Sequence, residues 1–269
     1  MMKHTIFSGV LAIFFLVSCS TVPLTGRRQL SLIPDSQINS LSFQNYQQVL
    51  SESKVVTGTK DARLVKSVGE KIAYAVEKYM AEKGLSNEIK DFRWEFSLIQ
   101  EDVVNAWCMP GGKVAFYTGI MPVCQNEEGV AVVMSHEIAH AIAEHGSERM
   151  SQQLAAQMGG TALSVALQSK PAATRQLANT AFGLGAQYGV LLPFGRTQES
   201  EADELGLYFM AMAGYNPEAA VPFWQRMAQQ GGGQRPPEFL STHPAPETRI
   251  RDIRRITPKT KKYQGKYVR

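Results

Sequence analysis

Side chains that bind soft metals or form disulfides are scarce in this sequence. Cysteine occurs three times, at Cys19, Cys108 and Cys124. Three is too few for a disulfide scaffold, and no C-x-x-C spacing occurs, so a zinc–cysteine site is excluded too. A Cys108–Cys124 disulfide stays open, because sequence does not say whether the Cα atoms approach within about 4.4–6.8 Å. Long apolar runs are also missing. Ile6–Val17 is too short to span a bilayer, and Gly, Ser and Gln interrupt 151–195 before about 20 strongly apolar residues accumulate. The net charge is a mild +4, and no basic and aromatic pattern occurs, which argues against a nucleic-acid partner. Disorder is excluded by 44% hydrophobic against 19% charged residues. A chain of 269 residues can hold one sizeable domain or two small ones.

Histidine is the other scarce residue, with five copies: His4, His136, His140, His145 and His243. Their placing is uneven. His136, Glu137 and His140 form the pattern H-E-x-x-H within Met134–Gly146. Residues four apart on an α-helix lie about 40° apart and one turn up. Both imidazoles can therefore reach one ion, with Glu137 between them as a base for water. Neutral imidazole suits Zn²⁺, expected at one ion per chain. A longer pattern with Gly at 143 and His at 146 fails, because the chain has Ala143 and Gly146. His145 lies nine residues from His136, about 180° around a continuous helix, and is read as structural. The third ligand is sought on a second helix. Glu199 and Asp203 share a helix face, so Glu199 can ligate while Asp203 accepts a hydrogen bond from a ligand histidine's outer nitrogen. Glu201 and Glu204 lie well off that face.

Four short pieces occur in order: Asn105-Ala106-Trp107-Cys108-Met109-Pro110-Gly111-Gly112, His136–His140, Glu199–Asp203, and Ser241-Thr242-His243-Pro244. Together they resemble the M48 family of zinc metallopeptidases. Thr25-Gly26-Arg27-Arg28-Gln29-Leu30 resembles the soluble, lipid-anchored BepA/LoiP-like branch in particular. The resemblance implies an α+β fold, mostly helical and zincin-like with a small β-sheet. It implies His136, His140 and Glu199 as zinc ligands, Glu137 as catalytic base, and Asn105 and Ala106 as substrate-facing. It also places His243 at the metal, either donating to the oxyanion or filling the open position in a resting state. The expected substrates are unfolded or misassembled envelope proteins, with the outer-membrane assembly machinery as a partner. The competing expectation is a non-proteolytic assembly factor with a self-blocked zinc site.

The remaining chain is read in order. Residues 1–18 have the form of a signal peptide, and Leu16-Val17-Ser18-Cys19 the form of a lipobox, so Cys19 is expected to carry lipid. Ser20 after it resembles outer-membrane sorting, facing the periplasm. Residues 19–34 read as a tether, 35–256 as the peptidase domain and 257–269 as a solvated basic tail. Helices are expected from Asp35 to about Leu50, over Lys60–Lys83, from Gln125 to about Met150 and over Asn216–Gln229, where Gly231-Gly232-Gly233 stops the last. Strands are expected over Phe92–Leu98, Val103–Met109 and Lys113–Thr118, the last two joined through Pro110-Gly111-Gly112 and offering a free edge to an extended peptide. In 151–195 only Lys170 and Arg175 are charged. That segment reads as two helices broken near Pro171, loosely packed, either a mobile lid or a spacer. Arg249 reads as a loop-orienting residue or a surface charge.

Overall fold

The computed structural model describes residues 19–230, 238–243 and 247–269. The expected signal peptide, the Gly231-Gly232-Gly233 stop and Pro244 lie outside them. The protein is mostly helical with a small sheet, as the α+β reading requires. It divides into two compact units rather than the single domain expected over 35–256. One holds Asn39–Ala143 and Gln198–Arg269. The other holds the described residues up to Ile38 together with Glu144–Thr197.

The first unit contains most of α1 (Asp35–Glu52), α2 (Lys60–Glu82) and a four-stranded sheet. The sheet order is β3 (Val55–Val56), β4 (Glu95–Ile99), β6 (Lys113–Tyr117), β5 (Ala106–Met109), with β4–β6 parallel and the other pairs antiparallel. Thr59 caps α2 by accepting from the Ala62 N–H, and Val65, Val68, Ile72, Val76 and Met80 are fully buried along one face. Gly69 on that face admits the Phe96 ring, since a Cβ there would stand 2.3 Å from Phe96 Cδ1. The β5–β6 turn uses Gly111 and Gly112 at φ 80° and 84°, a region that favours glycine. This leaves β5 as an edge strand.

The motif helix α3 (Glu127–Ile142) is capped by Asn126, whose Oδ1 accepts from Gly129 N–H at 3.0 Å. Every residue from Gly129 to Ile142 is buried, so the helix is enclosed on all sides. It ends earlier than the expected Met150. Ala143 caps it and Glu144 adopts a left-handed φ of 56°, after which a new helix, α4 (His145–Ala166), begins. The 180° argument for His145 therefore does not apply, because His145 is not on the motif helix. It is buried within the other unit.

In that other unit β1 (Cys19–Thr21) pairs antiparallel with β2 (Arg28–Leu30). Arg27 makes a bidentate ion pair with Glu148, at 2.9 and 2.7 Å. Gln29 Nε2 donates to Glu144 Oε2 at 2.7 Å, and the Leu32 N–H donates to Ser151 Oγ at 3.0 Å. The expected tether is thus fastened to the base of α4. Pro171 begins α5 (Ala172–Ala186), and a π-helical turn at Gln187–Leu191 leads into α6 (Leu192–Met212), whose later part returns to the first unit.

A three-residue turn at Pro217–Ala219 leads into α7 (Ala220–Gln230). Then α8 (Glu238–Thr242) and α9 (Glu247–Thr260) complete the first unit. The boundary expected at 256 falls inside α9. The basic tail is not free: Gly265 and Tyr267 N–H groups donate to Ala211 and Met212 carbonyls, and Lys266 pairs with Glu82 at 2.8 Å.

Candidate metal centre

Four donors meet inside the first unit. One ligand atom from each of His136, His140, Glu199 and His243 lies within 4.8 Å of all the others, and all four residues are buried. Two come from α3, one from α6, and His243 follows α8. The helices bearing them touch closely. A Cβ at Gly206 would stand 3.1 Å from the His136 backbone nitrogen, so only glycine brings α6 so near α3. Sequence reading passed over Gly206, although it lies three residues after Asp203 and thus near the same face.

The separations are those of a coordination polyhedron. His136 Nε2 is 3.1 Å from His140 Nε2, 3.4 Å from Glu199 Oε2 and 3.2 Å from His243 Nδ1. Glu199 Oε1 is 3.3 Å from His140 Nε2, and Oε2 is 2.8 Å from His243 Nδ1. A tetrahedron with zinc–ligand bonds near 2.05 Å has edges of about 3.3 Å. Lone pairs from three imidazoles and a carboxylate converge with few hydrogens between them. Nitrogen and oxygen donors in this number suit Zn²⁺, so the residues present fit the ion.

A set of supporting side chains fixes the donors. Asp203 Oδ1 lies 3.1 Å from His136 Nδ1, so that nitrogen carries the hydrogen and Nε2 points its lone pair into the cluster. Arg249 holds Asp203 in turn, with Nε 2.5 Å from Oδ2 and Nη2 2.7 Å from Oδ1. Its guanidinium sits 3.5 Å from the Trp224 ring centroid, and Nη1 is 3.4 Å from Glu199 Oε2. Arg249 is only 7% exposed, which corrects the surface-charge reading. Burial disfavours charge on Asp203 and Glu199, yet both stay below their usual range. The Arg249 charge outweighs burial for Asp203, and His140, His136 and His243 do so for Glu199. Burial likewise opposes a proton on His136, but hydrogen bonds to Asp203 and Glu199 raise its pKa to about 9. Those carboxylates would draw a cation to the same nitrogen, and metal binding there releases the proton.

Glu137 lies beside the cluster, with Oε1 3.5 Å from His243 Nε2. The edge strand passes close by: burial raises the Cys108 thiol pKa, and the charge of Glu137 raises it further. Cys108 and Cys124 are both free thiols. Asn105 and Ala106 are buried at the start of this edge. The Asn105 amide donates to Glu238 at 3.0 Å, and its Oδ1 accepts from the Ala106 N–H. The Phe239 N–H donates to the Val104 carbonyl at 3.1 Å. The edge next to the donor cluster is therefore met by the chain's own Glu238 and Phe239, two residues that sequence reading did not single out. Phe239 also stacks between Trp224 and His243.

Residues 66–257 match the model of Peptidase family M48. The chain belongs to this family. It is a metalloprotease. It is 30% identical over 259 residues to the mitochondrial metalloendopeptidase OMA1 of Schizosaccharomyces pombe, covering 94% of this chain and 72% of that protein. It is 32% identical over 198 residues to the Saccharomyces cerevisiae OMA1, covering 68% and 53%. To the beta-barrel assembly-enhancing protease of Escherichia coli K12 it is 33% identical over 165 residues, covering 60% and 34%. The chain thus spans about half or less of the last two relatives. Mitochondrial and bacterial relatives stand side by side, so the matches support the family without selecting the lipid-anchored branch.

Proposed function

We propose that this M48 chain is a zinc-dependent endopeptidase of the bacterial cell envelope, anchored through acylated Cys19, that cuts misfolded or misassembled envelope proteins. The observation that carries the reading is the cluster of His136, His140, Glu199 and His243 at coordination spacing beside Glu137. His136, His140 and Glu199 would hold one zinc ion. Bound zinc supplies a Lewis acid that polarises the scissile carbonyl and makes water acidic enough to lose a proton near neutral pH. Glu137 accepts the proton of the attacking water and returns it to the leaving amine. His243 donates to the developing oxyanion, a contribution of about 3 kcal/mol. Asp203 keeps the His136 tautomer, and Arg249 keeps Asp203. The β5 edge, including Ala106, pairs with an extended peptide through backbone hydrogen bonds, which suits unfolded substrates of many sequences. The lipobox-like Leu16–Cys19 supports the anchor, and the name of the Escherichia coli relative supports outer-membrane assembly as the setting.

The test is Glu137→Gln. The variant retains one zinc per chain and loses casein cleavage by at least about a hundredfold. Unchanged cleavage removes Glu137 from the base role.

A second reading has its own observation. His243 Nδ1 stands where a fourth ligand would, and Glu238 and Phe239 occupy the start of the substrate edge. This favours a self-blocked resting state, compatible with a non-proteolytic assembly role. His243→Ala separates the two: cleavage falls about 10²–10³-fold if His243 serves the oxyanion, and rises if it plugs the site.

A further inference from the structure

From residue 153 to residue 197 no residue is buried. Buried residues of α4 are confined to its base: His145, Ser147, Glu148, Ser151 and Gln152. Beyond them α4 and α5 form a hairpin. Phe182 of α5 packs over Gly159 and Gly160 of α4, with its ring 2.9 and 3.5 Å from where their Cβ atoms would be. Ser164 Oγ lies 3.3 Å from Asn179 Oδ1. These contacts define the inner face.

The outer face is apolar and uncovered. Leu177 and Leu184, at 73% and 53% exposure, are seven residues apart and so within about 20° of each other. Both lie about 150° around α5 from Phe182, facing away from α4. Met158 and Val165, at 59% and 57%, repeat the seven-residue spacing on α4. Tyr188 and Phe194 continue the exposed series past the π-helical turn.

The charges of the same segment have one sign. Arg149, Lys170, Arg175 and Arg196 are its cations, and no Asp or Glu occurs between Glu148 and Glu199. An isologous dimer through this surface would set like charges against one another. No described helix is long and apolar enough to cross a membrane. Apolar stripes with aromatic residues, cations without acids, and insufficient length to span are the properties of helices that lie in a lipid interface.

We propose that the α4–α5 hairpin lies on an anionic lipid bilayer, with its Met158, Val165, Leu177 and Leu184 stripes at the acyl boundary and its cations at the headgroups. Cys19 belongs to the same unit, where Arg27 and Gln29 fasten its hairpin to the base of α4. Any acyl anchor there and the apolar hairpin would therefore address one membrane. The inference does not depend on acylation.

The test uses the zinc-loaded full chain carrying Cys19→Ser, which removes the acylation site, in flotation with vesicles of phosphatidylcholine alone or with 30% phosphatidylglycerol. The protein floats with the anionic vesicles and much less with the neutral ones. Lys170→Gln and Arg175→Gln each weaken flotation about fivefold. Leu177→Glu with Leu184→Glu weakens it at least tenfold while casein cleavage is unchanged. Both side chains are exposed, so the fold tolerates them, and circular dichroism checks this. Failure to float with either vesicle, or flotation indifferent to the glutamate pair, overturns the proposal. So does a glutamate pair that alters cleavage but not flotation, which would assign the hairpin to the active site. A concentration-dependent dimer abolished by the same pair, without flotation, assigns it to a second copy and also overturns it.

Discussion

Replacing Arg249 by methionine isolates the pair that supports the site. Arg249 and Asp203 are 7% exposed each and joined by two hydrogen bonds of 2.5 and 2.7 Å. Removing one partner of such a pair leaves a buried charge, at a cost of about 3–5 kcal/mol. In a chain of this size each kcal/mol lowers Tm by about 2–4 °C, so a fall on the order of 10 °C is expected for Arg249→Met. Asp203 also loses its orientation toward His136 Nδ1, and zinc affinity falls about 10–100-fold. Arg249→Met combined with Asp203→Leu removes both charges. It recovers most of the lost stability, because a buried pair replaced by apolar groups is close to neutral. It does not recover zinc affinity, since His136 Nδ1 then has no acceptor. Thermal melts of the chelator-treated protein read the stability, and competition with a fluorescent chelator reads the zinc. A single variant melting within about 2 °C of wild type, or a double variant with wild-type zinc affinity, refutes the reasoning.

Three further outcomes are expected. Gly206→Ala places a methyl 3.1 Å from the His136 backbone, which must separate α6 from α3; a loss of about 1–3 kcal/mol by denaturant unfolding, with weaker zinc binding, checks it. Glu127 is held below its usual pKa of 4.5 by a hydrogen bond from Lys71, then by one from Tyr215. A depressed carboxyl contributes stability above its unfolded pKa and loses it as pH falls through its folded pKa. The Tm gap between wild type and Glu127→Gln is therefore full at pH 6 and closes as pH falls below 4.5. Cys19→Ser abolishes incorporation of radiolabelled palmitate into the protein expressed in a Gram-negative host; undiminished label contradicts acylation at that residue.

Much of the centre could be read from spacing. His136 and His140, and again Glu199 and Asp203, are four residues apart, and helical geometry alone puts each pair on one face. His243 could be named only through resemblance, because it follows a short helix and no periodicity reaches it. Arg249 was read evenly as surface or site, since nothing local marks an arginine for burial; its place depends on Asp203 and Trp224, 46 and 25 residues away by numbering. The break at Glu144 was invisible, because Ala143, Glu144 and His145 are all compatible with a helix, and a left-handed glutamate is imposed by tertiary packing. The strands were placed correctly but drawn long, since alternation from Phe92 continues into residues that pack without pairing. The tail read as solvated from its lysines, whereas its backbone amides at Gly265 and Tyr267 find the carbonyls at the end of α6.

X-ray absorption at the zinc edge, together with metal analysis, tests the centre most directly. The account predicts one zinc per chain, nitrogen and oxygen neighbours at about 2.0–2.1 Å with imidazole scattering, and loss of most of the metal in Glu199→Ala. A sulfur neighbour at about 2.3 Å, or undiminished zinc in Glu199→Ala, would contradict it.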